Sequence, residues 1–385
     1  MTIRKIPYAK HTIGREDIES VVGVFESDRI TQGPKIEEFE KALASFCQAS
    51  HAVAVSSGTA ALHCAIYAAG IGPGDEVIVP PLTFVATANA IVYQGGTPIF
   101  ADVLSETLLI DPQKVEALIT SRTKAIVAVD YAGQPCDYDR LRDIAKRHRL
   151  LLIADSCHAL GASFEEKKVG TLADLTVFSF HPSKHIATGE GGMVCTERGE
   201  AAQKMRIFRN HGITTDELQR FEKNTWLYEM TELGFNYRIT DFQCALGLSQ
   251  LKKLLAWIKR RREIASRYDE AFRSMSGIAP LQVSPGAFHV YHLYVIRLKL
   301  NHLKSDRAVI FKELHERGVG VNVHYIPVHL QPFYKKRFGT RPGMCPVAEQ
   351  AYEKLLSLPM YHGMSDEDVK YVISMVREVI AEHEI

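Results

Sequence analysis

A chain of 385 residues with 46% hydrophobic side chains is long and apolar enough for two domains, or one large α/β domain with an appendage, around an ample core. Its 46 basic and 45 acidic side chains leave a formal net charge of +1 with no long run of one sign, so nothing electrostatic argues for nucleic acid or a membrane surface. Cysteines 47, 64, 136, 157, 195, 244 and 345 lack paired spacing and read as reduced thiols, the start of the chain lacks the apolar core of a signal peptide, and no segment approaches the roughly 18 apolar residues of a membrane span, so the cytoplasm is the expected location.

In chain order, Tyr8 precedes an amphipathic stretch at 14–25, residues 28–33 break it, and Gly33-Pro34 opens a second helix over 35–47. From Ala52 the rhythm is strand, turn, helix. Strands are expected at 53–55, 76–79, 98–101, 125–129, 150–154, 175–180 and 192–196, with helices at 59–69, 84–93, 112–119 and 138–147. This alternation implies a mostly parallel sheet covered on both faces, whose ligands gather at the carboxyl ends of strands, where Ser57, Thr83, Asp155 and Ser179 fall. Helical spacing then runs from 242 to about 272, capped by Thr240 or Asp241, and its Arg260-Arg261-Arg262 triplet reads as a solvated face. Prolines and a glycine at 278–286 mark a boundary, with the expected division 1–250 and 251–385. A strand at 289–298, a helix at 306–317, a strand at 319–325 and a final helix at 366–383 make the second part a small α+β domain.

The run from Thr176 to Gly192 stands out, because a β-branched and aromatic strand stops at Pro182, Lys184 and several glycines. A lysine at the rim of a core loses solvation, which lowers its pKa and frees its amine to form a Schiff base; the alternative is a loop lysine facing solvent. Ser179, five residues earlier, is placed to hold a phosphate at the other end of the same small ligand. Asp155 closes the apolar run 150–154, where a buried carboxylate needs a cationic partner unless it simply caps the next segment. The strand, small-residue turn and helix at 53–62 leave free amides that form an anion cup. His324 with His329, and His181 with His185, could pair on a metal, but no Cys or carboxylate completes a set, so no metal is expected.

Together SSGTAAL (56–62), ADSCHA (154–159), SFHPSKH (179–185) and TGEGG (188–192) resemble the DegT/StrS family of pyridoxal-phosphate aminotransferases, which act on nucleotide-linked keto-sugars and have the aspartate-aminotransferase-like α/β fold (fold type I). DRITQG (28–33), WLYEM (226–230), LGFNYRITD (233–241) and VHYIP (323–327) are similar to the branch that makes the 4-amino precursor of pseudaminic acid. The resemblance implies pyridoxal phosphate on Lys184, with Ser57, Gly58, Thr59 and Ser179 at its phosphate, Phe84 as a flat lid, Asp155 at the ring nitrogen and His158 at the ring hydroxyl. It further implies an obligatory homodimer in which Asn236 reaches the partner's cofactor phosphate, and substrate contacts from Tyr8, Arg29, Ile30, Thr31, Asn322, His324 and Tyr325. Arg238 is the candidate to grip a donor carboxylate.

The expected reaction transfers an amino group from a donor such as glutamate to C4 of a UDP-linked 4-keto-6-deoxy-N-acetylhexosamine. The D-xylo 4-keto epimer of the bacillosamine-type route is the alternative substrate, and a non-catalytic protein that keeps the fold is the alternative role. A nucleotide-dependent dehydrogenase is disfavoured, because no G-x-G-x-x-G follows the first strand. Relatives with histidine in place of the lysine are sugar dehydratases, and Lys184 points instead to transamination.

Overall fold

The computed structural model describes residues 4–215, 220 and 224–385. Two helices lead in, α1 (Arg15–Phe25) and α2 (Pro34–Cys47), the second opened by extended Gly33 and by Pro34, whose missing N–H falls where no helical acceptor exists. Then follow β1 (His51–Val55), α3 (Gly58–Ala68), β2 (Glu76–Val79), α4 (Val85–Tyr93), β3 (Thr97–Phe100), α5 (Pro112–Ala117), β4 (Thr123–Val129), α6 (Tyr138–His148) and β5 (Leu151–Asp155). A hairpin, β6 (Ser163–Phe164) with β7 (Lys167–Lys168), precedes β8 (Leu175–Ser179), β9 (Gly192–Thr196) and α7 (Gly199–Phe208).

Seven strands form one sheet in the order β1-β9-β8-β5-β4-β2-β3, parallel except that β9 runs against both its neighbours. Strands buried on both faces must be apolar almost throughout, as Val77, Ile78, Val79, Ile126, Val127, Ile153 and Val177 are. Register brings the working ends into line. Asp155 pairs with Val129 and Val177, while Gly192 pairs with both Ser179 and Val55.

A second sheet, antiparallel in the order β10 (Ile278–Pro280), β12 (Tyr294–Leu298), β13 (Leu355–Leu358), packs with helices Leu254–Phe272, Arg307–Glu316 and Asp366–His383 around a separate core. Helix Leu254–Phe272 serves both cores, with Leu254 and Ile258 in the first and Ile264, Tyr268 and Phe272 in the second. We propose a division near residue 250, across which Ile6 reaches into the second core and Val328, Tyr334 and Ala348 reach back into the first.

Three expected elements differ. The long helix is broken at Lys252-Lys253 into Asp241–Leu251 and Leu254–Phe272, the first opened by a capping box between Thr240 and Gln243. The strand at 289–298 begins only at Tyr294: β11 (Ala287–Phe288) pairs with β6, so 289–293 crosses between sheets as a loop. The strand at 319–325 is absent; single bridges, Ile6 to Val319 and Asn322 to Ser357, hold it. Gly320 lies so close to Ile6 and Tyr8 that a Cβ would sit 2.9 Å from the Ile6 carbonyl oxygen, and this three-way contact replaces a ladder. Among the described residues no helix is long and apolar enough to cross a membrane.

Candidate active site

A cavity of about 610 Å³ opens at the carboxyl ends of β4, β5 and β8. Tyr8, Ser57, Gly58, Thr59, Phe84, Asp155, His158, Ser179, Lys184, Asn322, His324 and Tyr325 all line it.

Lys184 stands on the turn between β8 and β9, its backbone amide bonded to the His181 carbonyl at 2.8 Å. Protein encloses its side chain, yet it borders the cavity and so keeps partial access. Burial pulls its pKa below 10.5, against the opposing pull of Cys157 and Asp155. Among the described residues no hydrogen bond or ion pair ties down its Nζ. The amine is therefore available as a nucleophile.

Asp155 ends β5 and is buried. Thr87 Oγ1, on the first turn of α4, donates to its Oδ2 at 2.7 Å and is itself within 2.8 Å of Thr83 Oγ1; the Cys157 amide donates to Oδ1 at 3.2 Å. No cation pairs with this carboxylate among the described residues, which leaves it suited to a cationic ligand. Behind it Asp130 takes bonds from Tyr138, Ser156 and the Cys136 amide, and burial pushes its pKa up to about 6.

Ser57 caps α3, its Oγ accepting from the Ala60 amide at 3.1 Å, so the amides of Gly58 and Thr59 have no acceptor within the helix. A Cβ on Gly58 would fall 2.8 Å from Ser179 Cβ, and one on Gly192 would fall 2.4 Å from the Ser57 carbonyl oxygen. Only glycines let these backbones converge with Ser179 into an anion cradle. Phe84, the N-cap residue of α4, is 57% exposed over the mouth instead of being buried under its own helix. His158 Nε2 lies 3.1 Å from Tyr325 Oη, while its buried Nδ1 has no partner among the described residues. His324 is held through Nδ1 by Ser357 Oγ at 2.8 Å and through its carbonyl by the Tyr131 hydroxyl.

A free amine, a carboxylate without a cation, an orphaned imidazole nitrogen and an anion cradle match the four handles of pyridoxal phosphate: aldehyde, ring nitrogen, ring hydroxyl and phosphate. The model of the DegT/DnrJ/EryC1/StrS aminotransferase family matches residues 11–377. The chain belongs to this family. It is 44% identical to the spore coat polysaccharide biosynthesis protein SpsC of Bacillus subtilis over 379 residues, 97% of each chain. Among solved structures it is similar to Helicobacter pylori PseC, an aminotransferase involved in the biosynthesis of pseudaminic acid, with a TM-score of 0.92 and 35% identity over 98% of this chain and 100% of that one. The sugar aminotransferase Spr1654 of Streptococcus pneumoniae in its PMP form gives 0.93 and 33% over 98% and 100%. The fold is accordingly the α/β aspartate-aminotransferase-like one of these sugar aminotransferases.

Within this DegT/StrS-family chain, five sequence candidates stay outside the cavity. Thr31 bridges to Thr240, the Ile30 carbonyl accepts from the Asp241 amide, and Asp241 in turn accepts from Gly33 and Lys35, so the 29–33 loop is moored beside the 236–241 segment. Arg29, Ile30 and Thr31 are thus held against the end of the segment in which Asn236 is exposed. Arg238 bonds Asn210 Oδ1 at 2.9 Å and lines a different cavity, of about 460 Å³, with Glu40, Arg206 and Arg209.

Conversely, Thr87, Cys157 and His292 line the main cavity without having been singled out. Thr87, a polar residue in the first turn of the largely apolar α4, is the one of the three with a legible signal. Among the described residues no cluster of three His, Cys, Asp or Glu is placed to hold a metal ion.

Proposed function

We propose that this protein is a pyridoxal-phosphate-dependent aminotransferase that moves an amino group from glutamate to C4 of a UDP-linked 4-keto-6-deoxy-N-acetylhexosamine, in the pseudaminic acid route. The observation that carries the reading is the convergence of the unbonded Lys184 amine, the Asp155 carboxylate and the Ser57–Ser179 cradle on one cavity. Bound there, the cofactor supplies an electron sink for the carbon that loses a proton. Lys184 Nζ would hold the aldehyde at rest and, once the donor's amine displaces it, would be the base placed to accept the proton from the donor's α-carbon and to return one to C4 of the sugar. Asp155, kept in place by Thr87 and the Cys157 amide, holds the ring nitrogen protonated. Gly58 and Thr59 amides with Ser179 bind the phosphate, Phe84 covers one ring face, and His158 meets the ring hydroxyl. Tyr8, Asn322, His324 and Tyr325, which line the same cavity, would receive the sugar.

The working unit in this reading is a cytoplasmic homodimer. Trp226 is 88% exposed and Leu233 77%, on the stretch of chain that leads to Asn236; a second copy would cover this apolar surface and receive Asn236 at its cofactor phosphate. The test incubates the purified protein with glutamate and each UDP-4-keto-sugar epimer, measuring 2-oxoglutarate and the configuration of the amino-sugar. Turnover of the β-L-arabino epimer is expected. Turnover of the D-xylo epimer alone overturns the pathway, and no 2-oxoglutarate from either overturns the substrate class.

A further inference from the structure

His292 stands apart from the residues to which the proposed function gives a role, yet it borders the cavity. Its ring lies 4.2 Å from that of His158, centroid to centroid and tilted by 34°, and 5.6 Å from that of His185, the residue after Lys184. It therefore sits between the imidazole at one side of the lysine and the chain that carries the lysine. The loop holding it is fastened from behind by Arg261, a fully buried guanidinium whose Nη1 donates to the carbonyls of Tyr291 at 3.1 Å, His292 at 3.3 Å and Met360 at 2.9 Å. His185 Nε2 donates to the Val290 carbonyl at 3.2 Å, which fixes the same loop from the other side. Five residues of irregular backbone are thus pinned at 290, 291 and 292, and the ring they present meets His158.

We propose that His292 is a positioning residue: its imidazole, held on a loop clamped by Arg261 and His185, braces the His158 ring in the orientation that presents Nδ1 to the cofactor. The inference rests on the pyridoxal phosphate reading above. Among the described residues the His158 ring has one hydrogen bond, from the Tyr325 hydroxyl on Nε2, and a single hydrogen bond leaves a ring free to swing about that contact. A flat neighbour on its face removes that freedom. Burial drives the pKa of both His158 and His292 well down, so the two rings meet as neutral imidazoles without charge repulsion.

The test compares His292→Phe, which keeps a ring face, with His292→Leu, which fills similar space without one. Pyridoxal phosphate is titrated onto the apoproteins by fluorescence, and the pH profile of the bound cofactor's absorbance band is recorded, with the melting temperature of each apoprotein as the folding control. His292→Leu is expected to weaken binding about tenfold and to shift the pH profile, since ring contacts of this kind are worth on the order of one decade, and His292→Phe to restore both. A His292→Leu protein with wild-type binding and profile overturns the proposal alone, as does a His292→Phe protein impaired as badly as His292→Leu. Failure of the wild-type protein to bind pyridoxal phosphate overturns the cofactor reading and this proposal with it.

Discussion

Lys184 is a residue whose environment works against its own charge. Because burial lowers its folded-state pKa below 10.5, the folded chain holds fewer protons than the unfolded one between the two values, and the stability penalty of burying this ammonium grows as pH falls through that window and vanishes above 10.5. The same depression raises the fraction of free amine at working pH. Capture of pyridoxal phosphate by the apoprotein should therefore accelerate with pH through a midpoint below 10.5, seen as growth of the bound absorbance band in stopped flow; a midpoint at or above 10.5 contradicts the lowered pKa. In the proposed mechanism Lys184→Ala removes both the tether and the proton carrier, so activity should drop by at least about a thousandfold while circular dichroism stays unchanged. Asp155→Asn tests the other end of the ligand. The asparagine oxygen can still accept from Thr87, but it carries no charge to hold a ring proton, so kcat should fall about a hundredfold or more with the melting temperature little altered.

At the scale of elements, the site depends on how closely β9 approaches the turn into α3. Gly192 pairs with Val55 and Ser179 at once, and a methyl group there would overlap the Ser57 carbonyl oxygen at 2.4 Å and the Gly58 amide at 2.9 Å. Backbone cannot yield as a flexible side chain can. Gly192→Ala should cost about 1–3 kcal/mol and open the cradle, so phosphate-dependent binding of pyridoxal phosphate weakens while binding of unphosphorylated pyridoxal changes little. Parity between the two losses would place the damage elsewhere. The strands of this sheet were legible because each is a short apolar run between polar turns, and Lys184, Asp155 and Ser179 were legible because they end such runs. Residues 289–293 and 319–325 misled for a related reason: their alternating apolar and polar residues mimic a strand, yet His292, Asn322 and His324 line the cavity. Cys157 and His292 carried no signal of their own, since a lone thiol or imidazole in a turn has the same sequence appearance whether it faces a core or a ligand.

Over the whole molecule, two properties emerge that no single site residue determines. The first, expected from the proposed dimer, is self-association. Trp226, Leu227, Met230 and Leu233 are too exposed and too clustered for a solvated loop, so sedimentation should give twice the mass of one chain, and Trp226→Asp with Leu233→Asp should yield a monomer with much reduced activity. A wild-type monomer that remains active would remove the shared-site reading.

The second is acid lability, which follows from the number of histidines the fold keeps neutral. Burial lowers the pKa of His63, His324 and His362 to about 4 and that of His289 to about 3, with nearby cations reinforcing the effect on the last three: Lys184 beside His324, Arg261 beside His362 and Arg262 beside His289. As pH falls below 6.5 the unfolded chain takes up protons that the folded chain refuses, so each such group steepens the loss of stability by up to about 1.4 kcal/mol per pH unit until its folded value is reached. Asp130, raised to about 6, and Asp269 oppose them, because burial lifts their folded pKa above the unfolded value and the folded chain gains protons there, but they are two groups against seven once His158, His185 and His292, also held well below 6.5, are counted. The melting temperature should therefore fall by several degrees between pH 6.5 and pH 5. His362 allows the cause to be isolated. Its ring stacks on Trp257 at 4.1 Å and 10° and neither of its nitrogens has a partner among the described residues, so His362→Phe keeps the packing and deletes only the titration. Its melting temperature should match the wild type's near neutrality and exceed it at pH 5; an unchanged gap between the two pH values would assign the lability to other groups.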